Sequence, residues 1–389
     1  MKKELTRREF ISTGSASLAL GLGASALPLL AAAADETVRC GFIGVGGRGT
    51  ALLKAALRLA NVQVTAVCEP DPDNLNRALD RIEDARGKRP NTVGYGPWSY
   101  RDLLASDQLD CVVIATPCDW HSTMYRDALE AGKPFYGEKP LAITSDGVAL
   151  VKAAREKHPD AVAQIGCQWS SNKARAEMVE RARAGEIGDL VEGRFHRYNG
   201  WASLGNWFNQ RERSGDWMLE QAVHEFNLMC WVTGKLPVAA YAAGRPNVTE
   251  PENAERDVTD FYSAILEYED GLIVHYAHGW INPPGFTGLQ ARFVGTKGGL
   301  DVMGATIRVR GEKEDRTSKQ PGGDTREHLA NFIDAVRAGD PAAVNCDIEQ
   351  GAAATYVGLM VRKSLDEKRR VTFDEMMGDD RPLPTLPPV

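Results

Sequence analysis

Val38-Arg39-Cys40-Gly41-Phe42-Ile43-Gly44-Val45-Gly46-Gly47-Arg48-Gly49 is the stretch on which the fold turns. An apolar run of strand length enters a Gly-x-Gly-x-x-Gly turn, and a helical pattern from Arg48 to Ala60 follows it. Each glycine answers a separate need. Gly44 permits the tight turn, Gly46 lets the backbone approach a pyrophosphate, and Gly49 lets helix and strand pack closely. The opening of the helix, including Gly47 and Arg48, offers free N–H groups to an anion. The motif alone is weak, but in this setting it predicts a bound dinucleotide.

Outward from that turn the grammar is β-α-β. Val62 to Val67 is a second strand, Pro72 to Ala85 a helix, and Val112-Val113-Ile114-Ala115 a fully apolar strand core. A helix spans Ser122 to Ala131, Phe135-Tyr136 forms a short strand, Ser145 to Lys157 a helix, and Val162 to Ile165 a strand. After Gly166 a helix from Lys173 to Ala184 leads into longer alternating runs: Leu190 to Tyr198, Phe261 to Tyr268, Leu272 to His278 and Leu289 to Val294. Glu269-Asp270-Gly271 reads as a hairpin turn. Helices near Asp324 to Ala338 and Glu349 to Glu367 follow. The expected class is α/β: a Rossmann domain with a parallel sheet, then an α+β domain with a large, mostly antiparallel open sheet. The expected boundaries are 1–34 for a signal segment, 35–166 for the nucleotide domain, 167–330 for the substrate domain, and 331–389 for carboxyl-terminal helices and tail.

The amino terminus carries an address. Lys2, Lys3, Arg7 and Arg8 precede an uncharged stretch ending in Ala31-Ala32-Ala33-Ala34, and Thr6-Arg7-Arg8-Glu9-Phe10-Ile11 resembles the twin-arginine export motif. The expectation is passage through the twin-arginine translocase to the periplasm or the outside. Loss of that segment's net +2 takes the chain from −7 to −9. Such an acidic surface repels nucleic acid and anionic membrane and leaves small neutral or cationic ligands. Seven cysteines, an odd number, several of them in apolar runs, read as mostly free thiols. No metal site is expected, because His275 and His278 fall on opposite faces of one strand.

Glu69 ends the second strand, where a carboxylate accepts hydrogen bonds from ribose hydroxyls. With Asp71 beside it, a 2′-phosphate is disfavoured, so NAD is expected before NADP, although Arg48 or Arg77 could swing round to that phosphate. Thr116-Pro117 and Glu138-Lys139-Pro140 close later strands, at the edge where such sheets bind ligands. Proline keeps Lys139 out of helical conformation, and a lysine there can hold a substrate hydroxyl and help carry its proton.

The glycine turn, Glu69, Thr116-Pro117, His121 and above all Glu138-Lys139-Pro140 resemble the Gfo/Idh/MocA family of sugar and polyol dehydrogenases. The resemblance covers nearly all of the chain after the signal. It implies cofactor contacts at Gly44, Gly46, Gly47, Arg48, Gly49, Glu69, Thr116, Pro117, His121, Glu138 and Lys139. It also implies a second-domain helix with an acidic residue, a catalytic His four residues on, and an Asp three further. Glu220, His224 and Asn227 take those places, with Glu and Asn replacing Asp. The implied catalytic set is Lys139 and His224. Glu220 and Asn227 join them against substrate, and a core role for His224 stays open among Val223, Phe226 and Leu228.

Aromatic residues Trp201, Trp207 and Phe208 suit sugar C–H faces or plain packing alike. Export away from a soluble NAD pool leads us to expect a tightly held cofactor, regenerated in place. The first expectation is an oxidoreductase acting on a sugar or polyol hydroxyl. The alternative is a redox-neutral glycoside hydrolase that oxidises transiently and eliminates, which needs a further base, with Tyr198 the candidate. A non-catalytic sensor comes third. The family also implies a homo-oligomer, formed through the exposed face of the second sheet.

Overall fold

The computed structural model describes residues 37–378 apart from Ser203. The export motif and the tail from 379 lie outside the described residues.

Six strands make the first sheet: β1 (Val38–Ile43), β2 (Val62–Cys68), β3 (Thr92–Gly94), β4 (Cys111–Ile114), β5 (Phe135–Gly137) and β6 (Ala163–Ile165). Their order is β3-β2-β1-β4-β5-β6, and every pairing is parallel. Helices cover both faces, which is why β4 is Cys-Val-Val-Ile with every residue buried rather than alternating. The order reverses between β1 and β4, so their carboxyl ends open a crevice, and the glycine turn sits in it.

The second sheet has nine strands, ordered β14-β13-β12-β11-β7-β10-β9-β8-β15. These are β7 (Leu190–Gly200), β8 (Ala239–Pro246), β9 (Thr259–Glu267), β10 (Ile273–Asn282), β11 (Gly288–Gly295), β12 (Gly298–Asp301), β13 (Thr306–Val309), β14 (Arg316–Thr317) and β15 (Val371–Thr372). All pairs are antiparallel except β7 with β10. The β9–β10 hairpin turns at Gly271, with φ +84°. Phe195, Tyr262, Val274, Tyr276 and Phe293 are buried on its inner face, whereas Tyr241 and Ile265 on the other face are 45% and 41% exposed.

Three helices matter for the site: α1 (Gly47–Ala56), α2 (Trp217–Glu220) and α3 (Val223–Thr233). Two more, α4 (Thr325–Ala338) and α5 (Ile348–Glu367), return the chain to earlier layers. Leu329, Phe332 and Ile333 of α4 share one apolar cluster with Phe42, Leu52 and Leu53. The expected boundary at 330/331 is therefore corrected: it cuts through α4, which packs on the nucleotide sheet and lies in the chain between β14 and β15 of the second sheet. Full burial of a side chain such as Phe332 stabilises by about 1.5–3 kcal/mol, enough to fix that return. All seven cysteines are free. Among the described residues, no helix is long and apolar enough to cross a membrane, and no group of three or more His, Cys, Asp or Glu could hold a metal ion.

Candidate active site

Gly44 has φ +82°, and a Cβ there would lie 2.7 Å from the Ala115 carbonyl oxygen. At Gly49 a Cβ would lie 2.1 Å from the Gly44 oxygen. The fold itself excludes side chains at both. Gly46 differs, because the nearest atom to its Cβ would be Asn74 Nδ2 at 3.8 Å. Its missing side chain leaves space over the start of α1, and Gly46 caps that helix with no side-chain hydrogen bond. Unclaimed N–H groups beside an open cradle are what a pyrophosphate requires. Glu69 braces the turn: Val45 N–H donates to its Oε2 at 2.8 Å and Asp71 N–H to its Oε1 at 3.0 Å. Each oxygen keeps a lone pair for a ribose hydroxyl.

The turn forms one end of a cleft of about 1690 Å³ that also exposes Thr116, Pro117, Glu138, Lys139 and Glu220. Arg48 does not face the ribose end. Its guanidinium donates to Glu138 Oε1 at 2.7 Å, Gln168 Oε1 at 2.6 Å and Thr325 Oγ1 at 3.2 Å. Burial pushes the Glu138 carboxyl up, but Arg48 and Lys139 outweigh it and hold it below the ordinary value. Arg77 is occupied by Asn74 Oδ1 at 2.5 Å. Neither arginine is turned toward a 2′-phosphate.

His121 is buried away from the cleft wall, with Nδ1 2.7 Å from the Pro140 oxygen and Nε2 3.0 Å from the Thr116 oxygen. Burial lowers its pKa, so the ring is neutral and donates to one carbonyl at a time. The expected cofactor contact is corrected: His121 instead pins together the two strand-end segments that carry Thr116-Pro117 and Lys139-Pro140.

Lys139 Nζ reaches Glu220 Oε1 at 2.7 Å and also donates to the Glu220 carbonyl oxygen. Burial alone would drive the ammonium toward its neutral form, but the Glu220 charge outweighs it and raises the pKa. Lys139 is thus protonated at neutral pH. It can hold and polarise a substrate oxygen, but it needs another group to take the proton.

The sequence reading placed Glu220, His224 and Asn227 on one helix. The structure breaks that helix, because Ala222 N–H bonds back to Trp217 O and α3 restarts at Val223. Glu220 reaches the cleft, whereas His224 and Asn227, 8% and 4% exposed, lie behind its wall. The His224 ring stacks on Trp169 with centroids 5.0 Å apart, and its buried Nδ1 has no hydrogen-bond partner among the described residues. Burial, aided by Lys139, Arg197 and Arg48, holds its pKa well below the ordinary value, so the ring is neutral and its protonated form is disfavoured. Asn227 turns Nδ2 toward Cys346 Sγ at 3.9 Å. Its expected substrate contact is corrected to a buried position.

Tyr198 is also corrected. It stacks on His196, centroids 4.7 Å apart, and pairs with Gly279 on the outer face of the second sheet. Arg197, the residue before it, points inward instead. It pairs with Glu225 Oε1 at 3.4 Å and lies over Trp169, 5.5 Å from the ring centroid. Burial, opposed by Arg197, pushes the Glu225 carboxyl up to about 7. The sequence reading missed Glu225, although a carboxylate inside Val223 to Leu228 is itself a sign of a buried pair. Also missed was Asp119, whose Oδ2 accepts from Arg213 Nε at 3.0 Å and so joins the first sheet's edge to the loop carrying Trp207 and Phe208. Those two rings stack 3.9 Å apart and line the cleft.

Two family models match in tandem: the oxidoreductase family with NAD-binding Rossmann fold over residues 38–181, and the GFO/IDH/MocA C-terminal domain over residues 176–301. A glycosyl hydrolase family 109 protein of Saccharopolyspora erythraea is 29% identical over 303 residues, 70% of this chain and 64% of its own length. One from Shewanella pealeana is 31% identical over 212 residues, 49% of this chain and 45% of its own. Across the curated relatives it matches, the chain spans between about a third and two thirds of their length. Levoglucosan dehydrogenase in complex with NADH and levoglucosan shares the fold, with TM-score 0.75, 17% identity, and coverage of 87% of this chain and 100% of that one. So does myo-inositol 2-dehydrogenase from Lactobacillus plantarum, with TM-score 0.72, 19% identity, and coverage of 87% and 99%. With both halves matched and the glycine turn, Glu69 and Lys139 gathered in one cleft, the chain belongs to the Gfo/Idh/MocA oxidoreductase family and carries its NAD-binding domain.

Proposed function

We propose that this chain oxidises a hydroxyl-bearing carbon of a sugar or polyol, and one observation carries the proposal: a largely buried Lys139, kept protonated by Glu220, shares its cleft with the nucleotide turn. NAD, when bound, accepts the hydride. Lys139 holds the substrate oxygen and stabilises negative charge on it as the carbonyl forms. The hydroxyl proton goes to a neutral base; the family pattern assigns that part to His224, which is neutral but lies behind the cleft wall, so the role requires its ring to reach the cleft when substrate binds. Glu220 keeps Lys139 charged and in place. Glu69 and Asp71 at the ribose end favour NAD over NADP.

Export by the twin-arginine route, supported by the amino-terminal motif, places the enzyme in the periplasm or outside. A retained cofactor regenerated by a second substrate fits that setting. The exposed face of the second sheet, with Tyr241 and Ile265, is where we place a homo-oligomer contact.

The names of the curated relatives favour a second reading, redox-neutral cleavage of a glycoside. That route needs a further base for the C–H, and Tyr198, assigned to it, faces away from the cleft. The oxidoreductase reading therefore stands first. The test is to offer free sugars and aryl glycosides to the purified chain without added cofactor. Bound NADH appearing with a sugar supports the first reading, steady release of the aryl group supports the second, and neither with NAD bound overturns both.

A further inference from the structure

Arg48 is the second residue of α1, the helix whose amino terminus forms the nucleotide cradle, yet its side chain leaves that helix for three other elements. Nε holds Glu138, Nη2 holds Gln168 just beyond β6, and Nη1 holds Thr325 at the start of α4. Thr325 Oγ1 closes the network on Gln168 at 2.6 Å. Glu138 is 5% exposed at its side chain and packs so closely over Gly166 that a Cβ there would come within 2.9 Å of its carboxyl carbon. Its other oxygen accepts the backbone N–H of Lys139 at 3.3 Å. A continuous line of polar contacts thus runs from the cradle through Arg48 and Glu138 to Lys139.

We infer that Arg48 is a positioning residue that ties the seating of the nucleotide to the setting of Lys139. The inference rests on the nucleotide reading above and adds a residue that acts through Glu138 instead of on substrate. Arg48 is the cation that faces Glu138. Of the other ionisable groups around that carboxyl, Lys139 pairs with Glu220, Tyr136 donates its phenol hydrogen to Glu138 Oε1 at 3.3 Å without bringing charge, His121 is held between two carbonyls, and His328 is held by Ser171 and the Ile165 carbonyl. Without Arg48, the buried carboxylate would lose its hydrogen-bonded cation and keep only the weaker pull of Lys139, which is already paired with Glu220. It would then be protonated at low pH and negative at high pH, where it repels the dinucleotide's phosphates.

The test measures NADH affinity by fluorescence near pH 6 and near pH 9 in the full chain, for wild type, R48Q, R48K, E138Q and R48Q/E138Q. The expected wild-type affinity is flat with pH. R48Q should lose on the order of tenfold on going from the lower to the higher pH, about 1.4 kcal/mol, while E138Q and the double variant stay flat. R48K should restore a flat profile, because it keeps the charge. A flat profile in R48Q, with the same loss of affinity whether or not Glu138 is present, overturns the inference and leaves Arg48 as a direct nucleotide contact. If R48Q does not fold, E138Q decides. It should bind NADH more tightly than wild type at both pH values, having left Arg48 uncompensated, and unchanged affinity overturns the inference. A wild type that binds no NADH refutes the nucleotide reading itself, a result distinct from all of these.

Discussion

Replacing Glu220 by Gln removes the charge facing Lys139 and keeps the side chain's size. The groups are 2.7 Å apart, with side chains 12% and 13% exposed. At an effective dielectric of about 20, opposite unit charges at that separation attract by about 6 kcal/mol. Against this stands a desolvation cost of several kcal/mol per ion. In the wild type the pair wins, because the Lys139 pKa is raised above 10.5. That contribution is fully present below the unfolded value and is lost only as pH rises through the folded one. In E220Q burial is opposed only by the weaker pull of Glu138 and Cys118 and by the carbonyl at position 220, and the sign reverses. The ammonium is disfavoured, so the variant is weakest where lysine should be charged and regains stability as pH climbs toward the ordinary lysine value. Loss of one partner of a buried pair costs about 3–5 kcal/mol. Urea denaturation at about pH 7 and about pH 10 should therefore show a large deficit at the lower pH that narrows at the higher. Equal unfolding free energies for E220Q and wild type at both would refute the claim that Glu220 sets the protonation of Lys139.

G49A and G46A should separate fold from ligand. A Cβ at Gly49 meets the Gly44 oxygen at 2.1 Å, so G49A should unfold at lower temperature, whereas G46A should melt like wild type yet fail to bind NADH in a fluorescence titration. Glu225 is fully buried with its pKa moved from 4.5 to about 7, so native protein binds more protons than unfolded between those values and stability falls as pH rises across them. The contribution is about 3 kcal/mol, and E225Q should flatten that part of the stability profile measured by urea denaturation. Y198F should leave turnover unchanged in the assay that responds to Lys139, since the ring stands on the outer face. H224Q should keep NADH affinity within about twofold and slow turnover by about 10²–10⁴, the range for a lost general base.

The nucleotide half was legible because its signals are local. The turn's glycines, the carboxylate at the end of β2 and the fully apolar β4 each follow from a few adjacent residues. Lys139 was legible for the same reason, as a residue fixed before a proline at a sheet edge. Glu220 and His224 do not share one helix stripe, as their spacing suggested, because the helix is broken between them. Periodicity does not register the back-bond from Ala222 to Trp217 that ends α2. Tyr198 was misplaced because strand alternation gives two faces without saying which one meets the helices; that is decided by Phe195 and Phe293 packing inward. Arg48 was read as a phosphate contact, since its true partners, Glu138, Gln168 and Thr325, lie 90, 120 and 277 positions away. The return of α4 to the nucleotide sheet is equally non-local.

The most direct test of the central claim compares wild type with K139M, each purified and scored for bound nicotinamide by its near-ultraviolet absorbance before and after addition of a panel of sugars and polyols. The account predicts that both hold NAD, that at least one sugar or polyol reduces it in the wild type, and that K139M keeps the cofactor unreduced. Reduction at an undiminished rate in K139M, or a wild type that carries and binds no NAD, would contradict it.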